Sequence, residues 1–522
     1  MRFGGFMSDV TLYDTTLRDG EQTHGVELLL PEKLQITQLL NDYGVRELEG
    51  GFPSASRGER EYFKRVRDLE LDTKIFAFGR THSDDIKIMR ESFPDGFTVV
   101  GKADVRQVKG VLKKKPVAYL KFIRDSIINL KEKGKPVYFD AEHFFDGCSH
   151  DSFFAYDVLD AAYDAGADVL VLCDTNGGTS PDRVFNITKA VVTKFEQMRY
   201  PRSPKIGFHG HNDAGFADAN TWMAYKAGAR HLQGTVNRLG ERCGNASLLT
   251  MACNLYRNRV STTLNMEKTM DVSTAVEIIT GFRVPLNEPY VGMNAGAHSG
   301  GMHTDGMEKM NAYQFFDLRL IGNRIWYPFG KLSGSATVVA EAKRYGVNLE
   351  KGDDVTLGLL DDIAKAGKVG DAQFYLLLNR RVHGREEPFI LLRRTNIDVY
   401  DSASDPGTLS EATVHVKVNG KTEQGAGMGD GPVNAADKAL RDVLRKDYPS
   451  IDKVELLFYD VASKRGGSSE TGTAKFVDVY AEFTYNGHKW TSLAKHTNII
   501  RASEIAISDA YKYFLMLADQ LK

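Results

Sequence analysis

From Val10 to about Leu255 short apolar runs of β character alternate with amphipathic stretches, and the apolar runs number eight. They are Val10–Tyr13, Val45–Leu48, Ile75–Phe78, Phe97–Val100, Val137–Phe139, Val169–Leu172, Ile206–Phe208 and Leu232–Val236. Helical patterns lie between several of them, from Pro31 to Tyr43, Val117 to Lys133, Phe154 to Ala165 and Thr221 to Ala227. Each of these closes on a glycine, at Gly44, Gly134, Gly166 and Gly228, the usual residue just past a helix end. Eight strand–helix repeats in roughly 245 residues are the arithmetic of a (β/α)8 barrel. A doubly wound open sheet is the competing arrangement. The chain has 522 residues, so a barrel leaves more than 200 for other domains.

A barrel of this kind carries its reactive groups at the C-terminal ends of its strands. Those ends are rich in ionisable residues here. Asp14–Gln22 follows the first run, Glu49 the second, Arg80 the third and Lys102 the fourth. Asp140 and Glu142 follow the fifth, Asp174 and Thr175 the sixth, and Asn237 and Asn245 the eighth. The seventh leads into Phe208-His209-Gly210-His211-Asn212-Asp213. Residues i and i+2 of a strand share a face, so His209 and His211 present two imidazoles side by side. Strands one, seven and eight of a closed barrel are neighbours. Asp19, His209, His211 and the amide of Asn245 are therefore candidates to converge on a divalent cation. The plainer alternative is a buried polar network without a metal.

The rest of the composition narrows the class. A net charge of −2, from 67 basic and 69 acidic residues, offers no footprint for nucleic acid or a membrane surface. Four scattered cysteines and the lack of any long apolar run predict a soluble cytoplasmic protein without a disulfide framework. The Lys113-Lys114-Lys115 run reads as a solvated face, with a phosphate contact as the alternative. The strand–helix rhythm fades after about residue 255. The expected division is a barrel over 1–275, helical linker subdomains over 276–390 and an α+β domain over 391–522. In that last part the alternation over 412–424 predicts strands, and the Gly-rich stretch Gly425–Pro432 predicts a turn that opens a helix from Asn434 to Arg445. A second strand set and a helix from Ala502 to Leu517 make two successive β-β-α units.

The motifs Asp14-Thr15-Thr16-Leu17-Arg18-Asp19-Gly20-Glu21-Gln22, Gly51–Ser56, His209–Asp213 and Gly240–Asn245 resemble the α-isopropylmalate, homocitrate and citramalate synthase family. The resemblance spans nearly the whole chain. Asp140–Gly147, Leu172–Thr179 and Pro289–His303 are most similar to the citramalate branch, whereas Phe52 stands where that branch usually carries tryptophan. The resemblance implies an acyltransferase that condenses acetyl-CoA with a 2-oxo acid, pyruvate in the citramalate branch or a branched acid in the isopropylmalate branch. It implies a divalent ion (Mn²⁺, Mg²⁺ or Zn²⁺) on Asp19, His209, His211 and Asn245. By the same resemblance Arg18 and Glu142 are catalytic, and Arg80 and Thr175 bind substrate. His303 would join the acid–base machinery from a partner subunit. A homodimer and an amino-acid effector, isoleucine or leucine, complete the expectation. A metal-dependent lyase on the same barrel and a non-catalytic regulatory paralogue are the rival classes.

Overall fold

A computed structural model describes residues 10–197, 203–329, 333–367, 369–400, 408–463 and 476–518. It divides into two compact units, one of residues 1–296 with 316–324, the other of 297–315 with 325–522.

The first unit is built on eight parallel strands: β1 (Thr11–Asp14), β2 (Glu47–Gly51), β3 (Lys74–Arg80), β4 (Gly96–Lys102), β5 (Val137–Glu142), β6 (Val169–Asp174), β7 (Lys205–Gly210) and β8 (His231–Gly234). β1 pairs with both β2 and β8, which closes the barrel and rules out the open sheet. The eighth run stops earlier than its apolar residues suggest. Val236–Arg238 is a 3-10 turn, with Asn237 and Arg238 at positive φ, so the chain leaves the barrel wall there. Around the strands lie α1 (Leu30–Tyr43), α2 (Arg57–Arg65), α3 (Ser83–Glu91), α4 (Val105–Gly110), α5 (Pro116–Lys131), α6 (Phe144–His150), α7 (Ser152–Asp164), α8 (Pro181–Gln197), α9 (Ala217–Ala227), α10 (Leu248–Arg257) and α11 (Thr269–Thr280). Pro31 and Pro116 stand in the first turns of α1 and α5, where a missing N–H costs nothing.

Two cores result. The larger lies between strands and helices and contains Ile36, Leu40, Leu48, Ile123, Ile127 and Leu170 among many others. The smaller fills the barrel and consists of Tyr13, Phe76, Tyr138, Val169, Val171 and Cys173. Inward positions recur every second residue. Phe76, Tyr138 and His231 form a lower level with Tyr13, and Phe78, Asp140, Cys173 and Gln233, two residues on from inward-facing positions, lie in an upper level nearer the C-terminal ends. The lower level is a plug: Phe76 stacks on Tyr138 at 4.6 Å, and His231 lies 4.8 Å from Tyr13 and 5.0 Å from Tyr138, ring centre to ring centre. The upper level is the floor of an open cavity.

The second unit begins with α12 (Gly301–Met310), α13 (Ser335–Arg344), α14 (Asp354–Ala366) and α15 (Asp371–His383). Two antiparallel three-stranded sheets follow. One is β9 (Phe389–Tyr400), β10 (Thr408–Val418) and β11 (Lys421–Gly429), succeeded by α16 (Pro432–Leu444). The other is β12 (Glu455–Ser463), β13 (Val477–Tyr485) and β14 (His488–His496), succeeded by α17 (Ile499–Leu517). The repeat is thus β-β-β-α, one strand more per unit than the expected β-β-α, and the Gly-rich stretch is strand as far as Gly429, with the bend that opens α16 confined to Asp430 and Gly431. Gly425, Gly427 and Gly429 alternate along β11 beneath α16. A Cβ on Gly425 would lie 2.4 Å from the Ala439 carbonyl oxygen, and one on Gly427 2.5 Å from the Ala439 nitrogen. These glycines let the helix backbone rest on the strand. No described helix is long and apolar enough to cross a membrane.

Candidate active site and metal centre

The cavity at the C-terminal end of the barrel measures about 640 Å³. Its floor is set by β1, β7 and β8. Beyond Asp14, the Thr16 N–H and hydroxyl both donate to the Asp14 carboxylate, at 2.9 and 2.8 Å, which tightens the turn carrying Arg18 and Asp19. His209 and His211 leave β7 on one face, as their spacing predicts. Asn245 is brought alongside by a short ladder: the Asn212 N–H donates to the Gly244 carbonyl at 2.8 Å and the Ala246 N–H to that of Gly210 at 2.9 Å. Gly244 has φ of 80°, and a Cβ there would lie 2.0 Å from the Arg238 carbonyl oxygen.

The four candidates meet. Asp19, His209 and His211 are buried, and one ligand atom of each lies within 4.8 Å of the other two. The Nε2 atoms of the two histidines are 3.2 Å apart, and Asp19 Oδ2 is 3.3 Å from that of His209. Asn245 Nδ2 donates to Asp19 Oδ2 at 2.5 Å, while its buried Oδ1 has no hydrogen-bond partner. Gln233 decides which nitrogen of His209 is free. Its Nε2 donates to Asp140 Oδ1 at 3.1 Å, so its Oε1 faces His209 Nδ1, 2.9 Å away, and accepts that proton. Nε2 is left facing Asp19 and His211, the orientation of a histidine held for a metal.

The two imidazoles differ in charge. Burial opposes protonation of His209, but the bond to Asp19 outweighs it and raises the pKa. Burial, reinforced by the neighbouring His209, pulls His211 down to about 3 and keeps it neutral. Asp19 is desolvated too, yet Arg18 and the histidines hold it well below the usual carboxylate range. Asp140 is pushed up to about 7 by burial and by Glu49. Asp19, Glu49 and Asp140 together outnumber the Arg18 guanidinium beside them. Two facing imidazole nitrogens, a surplus of buried carboxylate and an orphaned amide oxygen suit a divalent cation.

Arg18 is fixed from three sides. Its Nε donates to the fully buried Glu49, its Nη1 to Asp19 Oδ1 at 2.9 Å, and its guanidinium lies 4.0 Å above the centre of the Phe78 ring. Burial favours losing its proton, and Glu49 and Asp19 reverse that. Glu142 lines the same cavity, paired with Lys102 at 2.7 Å. The Thr175 hydroxyl accepts the His143 N–H at 2.8 Å. Arg80 is at the rim, mostly exposed, and grips Asp85 through Nε at 2.8 Å. His303 is absent from this lining among the described residues. It belongs to the second unit, exposed on α12 and stacked on Tyr313 at 4.0 Å.

Sequence reasoning missed Gln233, the part played by Glu49, and Arg242, which clasps Asp213 at 2.8 and 3.0 Å on the cavity rim. The available signal for Gln233 was its i+2 relation to an inward-facing residue, which requires the strand register.

The family model described as HMGL-like matches residues 9–276, and that of the LeuA allosteric (dimerisation) domain matches residues 368–515. The (R)-citramalate synthase of Aquifex aeolicus is 34% identical over 97% of this chain and 98% of its own length. That of Geobacter sulfurreducens is 34% identical over 99% of each. The 2-isopropylmalate synthase of Methanocaldococcus jannaschii is 30% identical over 97% of this chain and 95% of its own. With its closed parallel barrel, its Asp-His-His cluster and its paired βββα units, the chain belongs to the HMGL-like family, in the form that carries a C-terminal LeuA domain.

Proposed function

We propose that the protein condenses acetyl-CoA with pyruvate and water to give (R)-citramalate and CoA. The observation that carries this reading is the buried Asp19–His209–His211 cluster with Arg18 beside it on the cavity floor. The reaction itself comes from relatives of that name, which match this chain from end to end. Asp19, His209, His211 and Asn245 would hold a divalent ion, with Mn²⁺, Mg²⁺ and Zn²⁺ the ions to test. Once bound, the ion supplies Lewis acidity to the 2-oxo carbonyl and a template for the neighbouring carboxylate.

The chain's own residues supply the rest. Arg18 cannot swing away from Glu49, Asp19 and Phe78, so its positive charge is in place before the oxo oxygen becomes an alkoxide. Arg80 and Thr175 position the 2-oxo acid, and Glu142, steadied by Lys102, acts in proton handling. A base removes one acetyl methyl proton, the methyl carbon bonds to the oxo carbon, and the alkoxide is protonated. Water then cleaves the thioester and the CoA thiol leaves, which makes the sequence irreversible. His303 of a second subunit completes the acid–base set. The division of the chain near residues 275 and 390 into catalytic, connecting and regulatory parts belongs to the same reading, as do a homodimer, a cytoplasmic setting and isoleucine as the effector.

The choice of a small oxo acid rests on the relatives named (R)-citramalate synthase; Phe52 and Phe78, edge to face at 5.6 Å, line the cavity wall. The alternative is a 2-isopropylmalate synthase, and a thiol-release assay over a panel of 2-oxo acids separates the two. Pyruvate should exceed 2-oxoisovalerate in kcat/KM by about tenfold or more. A reversed ratio reassigns the substrate, and no thiol release with any 2-oxo acid overturns the reaction class.

A further inference from the structure

Cations around the cavity mouth differ in how they are engaged. On the β1–β2 side Lys33 is held by Glu21 at 2.9 Å and Glu59 at 2.5 Å. On the β7–β8 side Arg242 is held by Asp213 and Glu241. Arg80 and Lys102 are bound to Asp85 and Glu142. The loop from α4 to α5 carries cations that are not so held, as does the start of α2, where exposed Arg57 follows the cavity-lining Ser56. In the α4–α5 loop Leu112 lines the cavity. The next residue, Lys113, has φ of 52°, a sharp reversal that leaves Lys113 and Lys115 exposed. Neither makes an ion pair with any described residue. Between them, Lys114 places its ammonium 3.9 Å above the Phe122 ring. Phe122 and Phe93 are walls of a second cavity, about 620 Å³, between α3 and α5, to which Lys87, Arg90 and Lys133 also contribute. The loop thus touches the reactive cavity through Leu112 and, through Lys114 on Phe122, a groove of mixed charge in which Glu91 and Asp125 accompany the cations.

We propose that residues 111–115 recognise the acyl thioester's nucleotide portion. Leu112 packs against the pantetheine arm, Lys113 and Lys115 meet the phosphates, and the base lies toward the Phe93–Phe122 groove. The chemistry fits the constraint. The acetyl carbon must reach Arg18 on the floor, while the far end of the molecule is strongly anionic and has to leave by the mouth. It is drawn to a part of the rim whose cations are not already neutralised. This inference rests on acetyl-CoA being the co-substrate.

The test is Lys113→Glu/Lys115→Glu, two changes at exposed positions that leave the packed Lys114 alone. Wild type and variant are compared with acetyl-CoA and with S-acetyl-pantetheine, which lacks the nucleotide. The variant's KM for acetyl-CoA should rise about tenfold, with kcat and the KM for pyruvate unchanged. Added salt should narrow the difference. S-acetyl-pantetheine should serve both proteins equally, and Leu112→Ala should raise KM for both thioesters. An unchanged KM for acetyl-CoA in the double variant, or an equal loss with both thioesters, overturns the proposal. Wild type inactive with acetyl-CoA would instead refute the reaction.

Discussion

His209 and His231 stand on adjacent strands of one barrel, both buried, one level apart, and they have opposite electrostatics. His231, in the plug, is packed against Tyr13 and Tyr138; neither ring nitrogen has a hydrogen-bond partner, and the Glu47 carboxylate lies 3.7 Å from Nδ1, too far for one. Burial pulls its pKa down to about 3, and it is a neutral, nearly apolar ring. His209, one level up, gains Asp19 on one nitrogen and Gln233 on the other, and its pKa moves the opposite way. Burial is common to both. The difference is hydrogen-bonded charge: Asp19 reaches His209 from the loop after β1, while Glu47 stops 3.7 Å short of His231. A barrel is reactive at its C-terminal face because that is where Arg18, Asp19 and Asn245 can be delivered from outside the strand ladder.

The widest separation between the two levels should come from His211→Ala against His231→Leu. The first should abolish turnover and lower bound metal from about one equivalent per chain, read by elemental analysis. The second should leave both intact. Equal damage from the two would erase the distinction. Arg18→Gln should come next, lowering kcat by roughly 10²- to 10³-fold, the usual cost of losing a preorganised donor at a developing oxyanion. Circular dichroism would confirm that Glu49, left without its partner, does not unfold the barrel. Gln233→Leu tests the link between the levels. Removing the group that orients a ligand histidine should weaken metal affinity about 10- to 100-fold, measured by competition with a chelator. Unchanged affinity would make the Asp140–Gln233–His209 chain ornamental.

The smallest effect concerns acid stability. His231 binds a proton far more readily unfolded, near 6.5, than folded, near 3. Between those values the unfolded state holds the extra proton, so this residue removes stability as pH falls below about 6.5 and stops doing so near 3. At pH 5 the penalty relative to pH 8 is about 2 kcal/mol. His231→Leu should lose less stability than wild type between pH 8 and pH 5, seen as a smaller drop in unfolding temperature. An identical acid limb would mean that the ring is not held neutral.

The barrel was legible because its signal is repeated: eight apolar runs, each ending in polar residues. The metal candidates were legible because strand periodicity and the adjacency of β1, β7 and β8 suffice to gather Asp19, His209, His211 and Asn245. Gln233 was not, since its importance depends on which neighbour it meets across the ladder, and one residue of slip would turn it outward. β11 was misread for a different reason. Glycine ordinarily marks turns, and only the alternation of Gly425, Gly427 and Gly429, against a helix not yet placed, distinguishes a seat for α16 from a bend. β14 was overlooked because Lys489, Lys495 and His496 flank a short apolar set that Thr491 and Ser492 interrupt, although Trp490 is fully buried.

That glycine seat makes the two βββα repeats mechanically unlike. Under α16 the strand contributes no side chain at Gly425, Gly427 and Gly429, so at Gly425 and Gly427 the helix backbone comes directly against it. Under α17 the spacer is made of side chains: Trp490 stacks on Phe514 at 6.0 Å, and the Ser492 hydroxyl donates to the Ala506 carbonyl at 2.6 Å. One joint is a hard stop and the other is cushioned. A shift of α17 over its sheet can be absorbed by new rotamers, whereas α16 and β11 must travel as one piece.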